Sequence, residues 1–435
     1  MTAMSTSGLA MEPTPGGVLL GCIADDFTGA TDLANNLVRS GMRVVQTVGV
    51  PGLPLEGRAD AVVVALKSRT TPAGEAIDQS LDALRWLQSQ GARQIYFKYC
   101  STFDSTAKGN IGPVTEALME ALMTDFTIAT PTFPDNQRTV FKGHLFVGDT
   151  LLSESGMRNH PLTPMTDSNL VRVLQSQCRR KVGLIDYQTV AAGKKAIDQR
   201  IAHLRSQGVA IAIVDALSNE DLLKLAPALA GMPLITAGSG VAIGLPANFG
   251  IRASAIASEL PRVSGLQAVV SGSCSVATNR QVAAFIQAGR PALAVDPLRM
   301  AAGADVATDA LAWAAPLLAK GPVLIYSTAE AQSVMSVQRQ LGGEAAGALV
   351  ERAMAAIARG LVELGVGQLV VAGGETSGAC IQALGMAQMK IGPQIDPGVP
   401  WCWGRDSAGR GLHVALKSGN FGADDFFSNA FTILR

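Results

Sequence analysis

From Val18 onward, short runs of β-branched residues alternate with longer stretches of helical periodicity, which points to an α/β fold with mainly parallel sheets. The first unit sets the pattern. Residues 18–24 form an apolar run of strand length, and Ala30, Leu33, Ala34, Leu37 and Val38 then recur at helical spacing, with Asp32 near the start and Gly41 past the end. Further strands are expected at 44–48, 61–66, 94–99, 126–129, 182–185, 209–214 and 233–236, with amphipathic stretches at 73–90 and 190–206. A Ser- and Ala-rich stretch around Pro261 interrupts the series. A second series follows, with strands at 267–270, 292–295, 323–326, 368–372 and 413–416 and a helix at 347–364. The expected organisation is a mobile tail at 1–17, an N-terminal domain at 18–251, a linker at 252–265 and a C-terminal domain at 266–435. Each domain is expected to be a three-layer α/β unit, with the active site in the cleft between them.

Composition narrows the function. Thirty-five Lys plus Arg balance 35 Asp plus Glu, so no global field recruits nucleic acid or an anionic membrane. The 46 glycines in 435 residues, with only 5% aromatics, suit tight turns and backbone-lined ligand sites. Cys22, Cys100, Cys178, Cys274, Cys380 and Cys402 are scattered, with no C-x-x-C pair, which argues against a disulfide scaffold or structural zinc. The first basic residue is Arg39, so no signal peptide is read and the cytoplasm is expected. Residues 225–251 are uncharged, but Pro227, Gly231, Pro233, Gly238, Gly240, Gly244 and Pro246 would interrupt a lipid-exposed helix.

In an open parallel sheet, ligands bind beyond the carboxyl ends of the strands. Four such ends are polar: Asp25-Asp26-Phe27-Thr28-Gly29, Lys67-Ser68-Arg69, the Lys98 to Thr106 stretch that contains Asp104, and Pro134-Asp135-Asn136-Gln137-Arg138. Any one of them reads equally as turn residues, helix caps or surface ion pairs. Together they supply cations for a carboxylate or phosphate and polar groups for hydroxyls, so a small polyhydroxy anion is the expected ligand. The candidate substrate contacts are Asp26, Lys67, Arg69, Lys98, Asp104, Asn136 and Arg138, with Arg69 and Lys98 gripping a carboxylate. Adjacent residues leaving a strand point different ways, so Asp25 is expected to face the reacting hydroxyl as base while Asp26 caps the following helix.

The second domain offers three glycine- and hydroxyl-rich turns after expected strands: Ser271-Gly272-Ser273-Cys274-Ser275, Gly373-Gly374-Glu375-Thr376-Ser377-Gly378 and Ser418-Gly419-Asn420-Phe421-Gly422. Backbone N–H groups at such turns and at helix starts favour phosphate, so a nucleotide is the natural ligand of this domain. Neither a G-x-x-x-x-G-K-[ST] loop nor the protein-kinase motif set is present. A rival loop, Gly238-Ser239-Gly240 through Gly244, resembles a dinucleotide turn, but Pro246 interrupts the helix it needs and no acidic residue follows at the right distance. Of the four histidines, His203 reads as structural and His144, in a hairpin turn, as a residue that could approach substrate or lie in solvent. Trp401-Cys402-Trp403 reads as packing for a loop.

Gly21-Cys22-Ile23-Ala24-Asp25-Asp26-Phe27-Thr28-Gly29-Ala30-Thr31-Asp32 resembles the opening signature of the four-carbon acid sugar kinase family. Ala372-Gly373-Gly374-Glu375-Thr376-Ser377-Gly378 and Leu416-Lys417-Ser418-Gly419-Asn420-Phe421-Gly422 resemble its nucleotide-domain signature. Asn35-Asn36-Leu37 and Gln46-Thr47-Val48-Gly49-Val50-Pro51 are most similar to the members acting on 3-oxo-tetronates, with the threonate and erythronate kinases next. The resemblance implies an N-terminal substrate domain, a C-terminal nucleotide domain, and phosphorylation of the terminal C4 hydroxyl of a four-carbon sugar acid by ATP. It implies ATP contacts at Ser271 or Ser273, at Gly373, Gly374, Glu375 and Thr376, and at Gly419. Mg²⁺ is expected with the nucleotide. The rivals are an NAD-dependent sugar-acid oxidoreductase and a non-catalytic sugar-acid sensor. The expected partners are the sugar acid and ATP, without nucleic acid or membrane, leaving a homodimer open.

Overall fold

The computed structural model describes residues 17–52, 54–160, 162–329, 335–336 and 339–434. The tail expected at 1–17 lies outside these residues apart from Gly17. The N-terminal half contributes strands β1 (Leu20–Ala24), β2 (Val44–Val48), β3 (Ala61–Ala65), β4 (Gln94–Lys98) and β5 (Thr127–Thr130). A small antiparallel sheet follows, made of β6 (Arg138–Phe141), β7 (His144–Val147) and β8 (Thr150–Leu151). The half is completed by β9 (Lys181–Ile185), β10 (Val209–Val214) and β11 (Leu234–Ala237). The C-terminal half holds β12 (Leu266–Ser271), β13 (Ala292–Ala294), β14 (Val323–Tyr326), β15 (Val366–Ala372), β16 (Gln388–Asp396), β17 (Val399–Arg405) and β18 (Gly411–Lys417).

These strands do not form two separate sheets. They form one 15-stranded sheet in the order β13-β14-β12-β15-β18-β17-β16-β2-β3-β1-β4-β11-β5-β10-β9. The expected pair of α/β domains is present, but their sheets join edge to edge where Gln388, Met389 and Lys390 of β16 run antiparallel to Thr47, Gln46 and Val45 of β2. The join consumes an edge strand of each half, which would otherwise expose unpaired backbone groups. The antiparallel pair β16–β17 is the main departure from the expected strands. Gly392 and Pro393 break its hydrogen-bond register between Ile391 and Gln394, as a bulge does, and make the segment read as loop. Trp401 and Cys402, expected to pack a loop, are buried members of β17, and the Trp401 indole donates to the Ala430 carbonyl at 2.9 Å.

The topology creates two crevices at strand carboxyl ends. Chain order reverses around β1, flanked by β3 and β4, and again between β12 and β15. The first helix, Phe27–Arg39, leaves β1 with Asp26 as its N-cap and buries Ala30, Leu33, Ala34, Leu37 and Val38. One apolar layer continues from Leu20 and Leu33 in the N-terminal half to Val270, Ile391 and Leu416 in the C-terminal half.

Candidate active site

At the carboxyl end of the N-terminal sheet, parallel register aligns Ala24 with Ala65 of β3 and with Lys98 of β4, so the residues that follow converge. Arg69 lies at the centre. Its Nε and Nη2 donate to the two oxygens of Asp25 at 2.9 and 2.8 Å, and Nη2 also reaches Asp26 Oδ1 at 2.6 Å. Asp104 stands 3.8 Å from Nη1, and the Lys98 ammonium lies 3.9 Å from Asp26. Asn110 holds the loop that carries Arg69 by donating to the carbonyls of Ser68 and Thr71, both at 2.8 Å. Burial pushes the Asp25 carboxyl above its ordinary range in spite of Arg69. Burial acts the same way on Asp26, but Arg69 and Lys98 outweigh it, and the amide of Gly29 and hydroxyl of Thr28 donate to it, so its carboxyl sits well below the usual carboxylate range.

On the nucleotide side, the turns after β12, β15 and β18 meet. Gly373 is held at φ +121°, a conformation that favours glycine, and its N–H donates to Lys417 O at 2.8 Å. The helix Gly374–Leu384 follows, and the amides of Gly374, Glu375 and Thr376 have no acceptor among the described residues, as expected for a first helical turn. Ser275 and Thr278 both donate to the Gly419 carbonyl, at 2.5 and 2.9 Å, which ties the third turn to the first. Gly374 and Gly419 are not in the left-handed region. At Gly419 the constraint is space: a Cβ would lie 2.6 Å from Ser273 Oγ.

Two cavities open at these crevices. One, of about 490 Å³, has apolar walls from Val295, Tyr326, Ala346 and Val350 and a polar end at Gly272 and Thr376. The other, of about 530 Å³, lies between the halves and is lined by Asp25, Asp26, Arg69, Asp104 and His160 on one side and Gly374 and Gln382 on the other. Glu351 and Glu375 line both. Glu375 also forms an ion pair with Lys67 at 2.7 Å, across the cleft. Burial and the charge of Glu375 raise the Glu351 carboxyl, and the Lys67 ammonium opposes them.

Most of the expected residues come together. Asp25, Asp26, Lys67, Arg69 and Asp104 line the cleft, with Lys98 buried behind Asp26. Arg69 spends Nε and Nη2 on Asp25 and Asp26, while its Nη1 meets Asp104 only at 3.8 Å, and the residue lies in the cleft lining. One correction is needed there. Asn136 and Arg138 do not line the cleft: Arg138 donates to the Asn136 carbonyl, and its charge faces Cys100 and Asp104 from outside the lining. On the other side, Thr376 lines the apolar cavity and Ser273 takes part in the network around Thr278. Ser271 is fully buried and bonded to Thr328 at 2.7 Å, a supporting position. The Gly238 turn is packed inside the protein, where Tyr96 donates to the Gly238 carbonyl, and a short 3₁₀ turn at Gly240–Gly244 replaces a nucleotide-binding helix. His144 bonds to Lys142 O at 3.0 Å, away from the cleft.

Sequence reasoning missed His160 and Glu351. His160 Nδ1 accepts from Thr163 N at 3.0 Å, within a long segment that has no strand or long-helix signal. Glu351 is one of several polar residues on the helix Gly343–Glu363, and periodicity alone does not single it out. Among the described residues, no helix is long and apolar enough to cross a membrane.

Comparison with known proteins agrees with this division of labour. Residues 20–245 match the family model of a sugar-binding N-terminal domain, and residues 268–427 that of a nucleotide-binding C-terminal domain. The chain is 60% identical to a 3-oxo-tetronate kinase of Pseudomonas fluorescens, over 95% of this chain and 96% of that one. It is 58% identical to a 3-oxo-tetronate kinase of Cupriavidus necator, over 98% of each. A crystal structure of Haemophilus influenzae protein HI1011 superimposes with a TM-score of 0.80 at 43% identity, covering 95% of this chain and 100% of that one. With both domain models matched in order and relatives of this identity aligned over nearly its whole length, the chain belongs to the four-carbon acid sugar kinase family.

Proposed function

We propose that this chain is an ATP-dependent kinase that transfers the γ-phosphoryl group of ATP to the terminal C4 hydroxyl of a four-carbon sugar acid, with 3-oxo-tetronate as substrate and 3-oxo-tetronate 4-phosphate as product. The observation that carries the reading is the shared border of the two cavities at Glu351 and Glu375. A nucleotide lying in the apolar cavity with its phosphates toward Gly272 and Thr376 would end where the polar cleft begins. An acid in that cleft would present its hydroxyl to the terminal phosphate, and little more than positioning and charge stabilisation is required for transfer. The names of the relatives support 3-oxo-tetronate over threonate or erythronate.

Residues 18–251 serve as the acid-binding half, 252–265 as linker and 266–435 as the nucleotide-binding half. The amides of Gly374, Glu375, Thr376 and Gly419 hold phosphate oxygens, with Ser273 and Gly373 shaping the turn. Glu351 and Glu375 would hold Mg²⁺, which when bound would supply positive charge to the phosphates. Asp25 accepts the proton of the attacking hydroxyl as the oxygen bonds to phosphorus and ADP leaves; its raised pKa keeps it basic enough for the task. Arg69 orients Asp25 and Asp26, and Lys67, able to leave Glu375, is the cation offered to the substrate. The cytoplasm, where ATP is abundant, is the compartment proposed for the reaction.

The test is a coupled ADP-release assay across 3-oxo-tetronates, threonates and erythronates, with the phosphorylated carbon assigned by NMR. Release of ADP with a 3-oxo-tetronate and a phosphate on C4 is the expected outcome. No ADP release with any of these acids would sink the proposal.

A further inference from the structure

Lys417, at the end of β18, is wholly buried and has no carboxylate partner among the described residues. Its ammonium lies 3.0 Å from each of four acceptors: Thr278 Oγ1 and the carbonyl oxygens of Ser418, Gly419 and Phe421. Gln281, one helical turn beyond Thr278, collects the next carbonyls of the same turn, donating to Phe421, Gly422 and Ala423 at 2.9–3.0 Å. The carbonyls of the 418–423 turn therefore converge on one buried cation and one buried amide.

That convergence has a geometric consequence. The peptide bonds of the described residues are all trans, and in a planar trans peptide the N–H points opposite to the C=O. With the Ser418, Gly419 and Phe421 carbonyls turned onto Lys417, the N–H groups of Gly419, Asn420 and Gly422 are turned away from it. None of the three has an acceptor among the described residues. Three unpaired amides on one turn are donors that an anion can take up.

Building on the kinase reading, we propose that Lys417 is a positioning residue that sets the peptide planes of the 418–422 turn and thereby assembles an amide nest for the phosphates of the adenine nucleotide. Lys417 does not touch the nucleotide; it acts through the backbone, and its charge adds to the field at the phosphates. Among the described residues, no ionisable group of the surrounding elements pairs with Lys417. On the neighbouring helix, Arg280 is turned out to Asp424 at 2.8 Å, with Asp425 next to it in the chain. Asp396 of β16 accepts from Ala423 N at 2.8 Å, and Glu375, at the start of the helix after β15, pairs with Lys67. Asp32 on the first helix lies under the β16–β17 turn, 3.1 Å from where a Gly398 Cβ would sit. Burial away from countercharge lowers Lys417 to about 7. A bound polyphosphate favours the ammonium form, so nucleotide binding above that pH should draw a proton onto Lys417, and affinity should fall as the pH rises.

Calorimetric titration of MgADP into the full chain at about pH 8, in buffers of different ionisation enthalpy, reads both affinity and proton uptake. The wild-type chain is expected to take up a fraction of a proton per ADP. Lys417→Met is expected to lose at least tenfold in ADP affinity and to abolish the uptake, while its KM for the sugar acid stays near wild type. Wild-type binding without proton uptake overturns the proposal, and needs no variant to be seen. A folded Lys417→Met that binds ADP as tightly as wild type overturns it as well. A wild-type chain that binds no adenine nucleotide overturns the kinase reading, and this one with it.

Discussion

Asp25 and Asp26 are neighbours in sequence but hold opposite electrostatic positions. Asp25 keeps only 5% of its surface exposed and shares both oxygens with Arg69, whereas Asp26 divides its oxygens among Arg69, Gly29 and Thr28. In Asp25→Asn, a neutral amide replaces the proposed proton acceptor, so kcat is expected to fall by at least about 10²-fold. Because the buried guanidinium loses one charged partner but keeps two others, the stability loss should be about 1–3 kcal/mol, read from thermal or urea melts. Asp26→Asn should chiefly weaken the helix cap, by about 0.5–2 kcal/mol. Steady-state kinetics that find the larger kcat loss in Asp26→Asn would reverse the two roles. Arg69→Lys cannot reproduce the bidentate pairing, so it should lower kcat more than it raises KM for the acid. The glycines separate equally well. Gly419→Val drives its side chain into Ser273 and should abolish ADP binding, while Gly374→Ala meets only Thr28, at 3.8 Å, and should bind ADP as wild type does.

The first helix shows how a buried polar face serves an element. Its inner side carries Asp32, Asn35 and Asn36 between the two halves: Asn35 donates to Gln394 at 2.7 Å and Asn36 to Ser239 O at 3.0 Å. Asp32 has one oxygen with no partner, and burial raises its carboxyl to about 6 in spite of Lys98 and Ser239. Its folded pKa lies above the unfolded value, so between about pH 4 and pH 6 the unfolded chain releases a proton that the folded chain retains. The stability contributed by Asp32 therefore falls as pH rises through that window. Asp32→Asn removes the dependence and should gain up to about 3 kcal/mol on wild type at pH 8 relative to pH 4, measured by urea melts at both pH values. A variant whose stability tracks wild type at both pH values would contradict the reading. The helix itself was legible from its apolar spacing and the Asp before it, as were the parallel strands, because each is a short, mostly apolar run of strand length. β16 and β17 were not, because Gly392-Pro393 and Pro400 carry loop signals that a bulge and sheet packing override. Site residues at strand ends, such as Asp25 and Arg69, follow from topology. Which of them pair with each other does not, since Arg69 meets Asp25 only after a crossover of 44 positions. His160 lies on a segment with no periodicity to place it.

At the scale of the whole molecule, the shared sheet fixes one side of the junction between halves, and the cleft with Lys67 and Glu375 forms another. Backbone pairing of β16 with β2 resists separation there, so any closure over substrate must bend about that seam. Among the described residues, Lys67–Glu375 is the ion pair that bridges the cleft, and its side chains are 80% and 65% exposed. An exposed pair of this kind is worth at most about 1 kcal/mol, too little to hold the halves together but weak enough to be exchanged. In the proposed mechanism the pair exchanges partners: when nucleotide and acid bind, Glu375 turns to the metal and Lys67 to the anion that arrives. Lys67→Met should leave the melting temperature nearly unchanged, because the pair stabilises little. It should lower kcat/KM for the acid by about 10–100-fold, the loss of one charge-assisted contact, with ADP affinity near wild type. Steady-state kinetics, ADP titration and a thermal melt on this single variant separate the alternatives. A fall in melting temperature with unchanged kinetics would make the bridge a structural tie. Unchanged values in all three would remove Lys67 from the site.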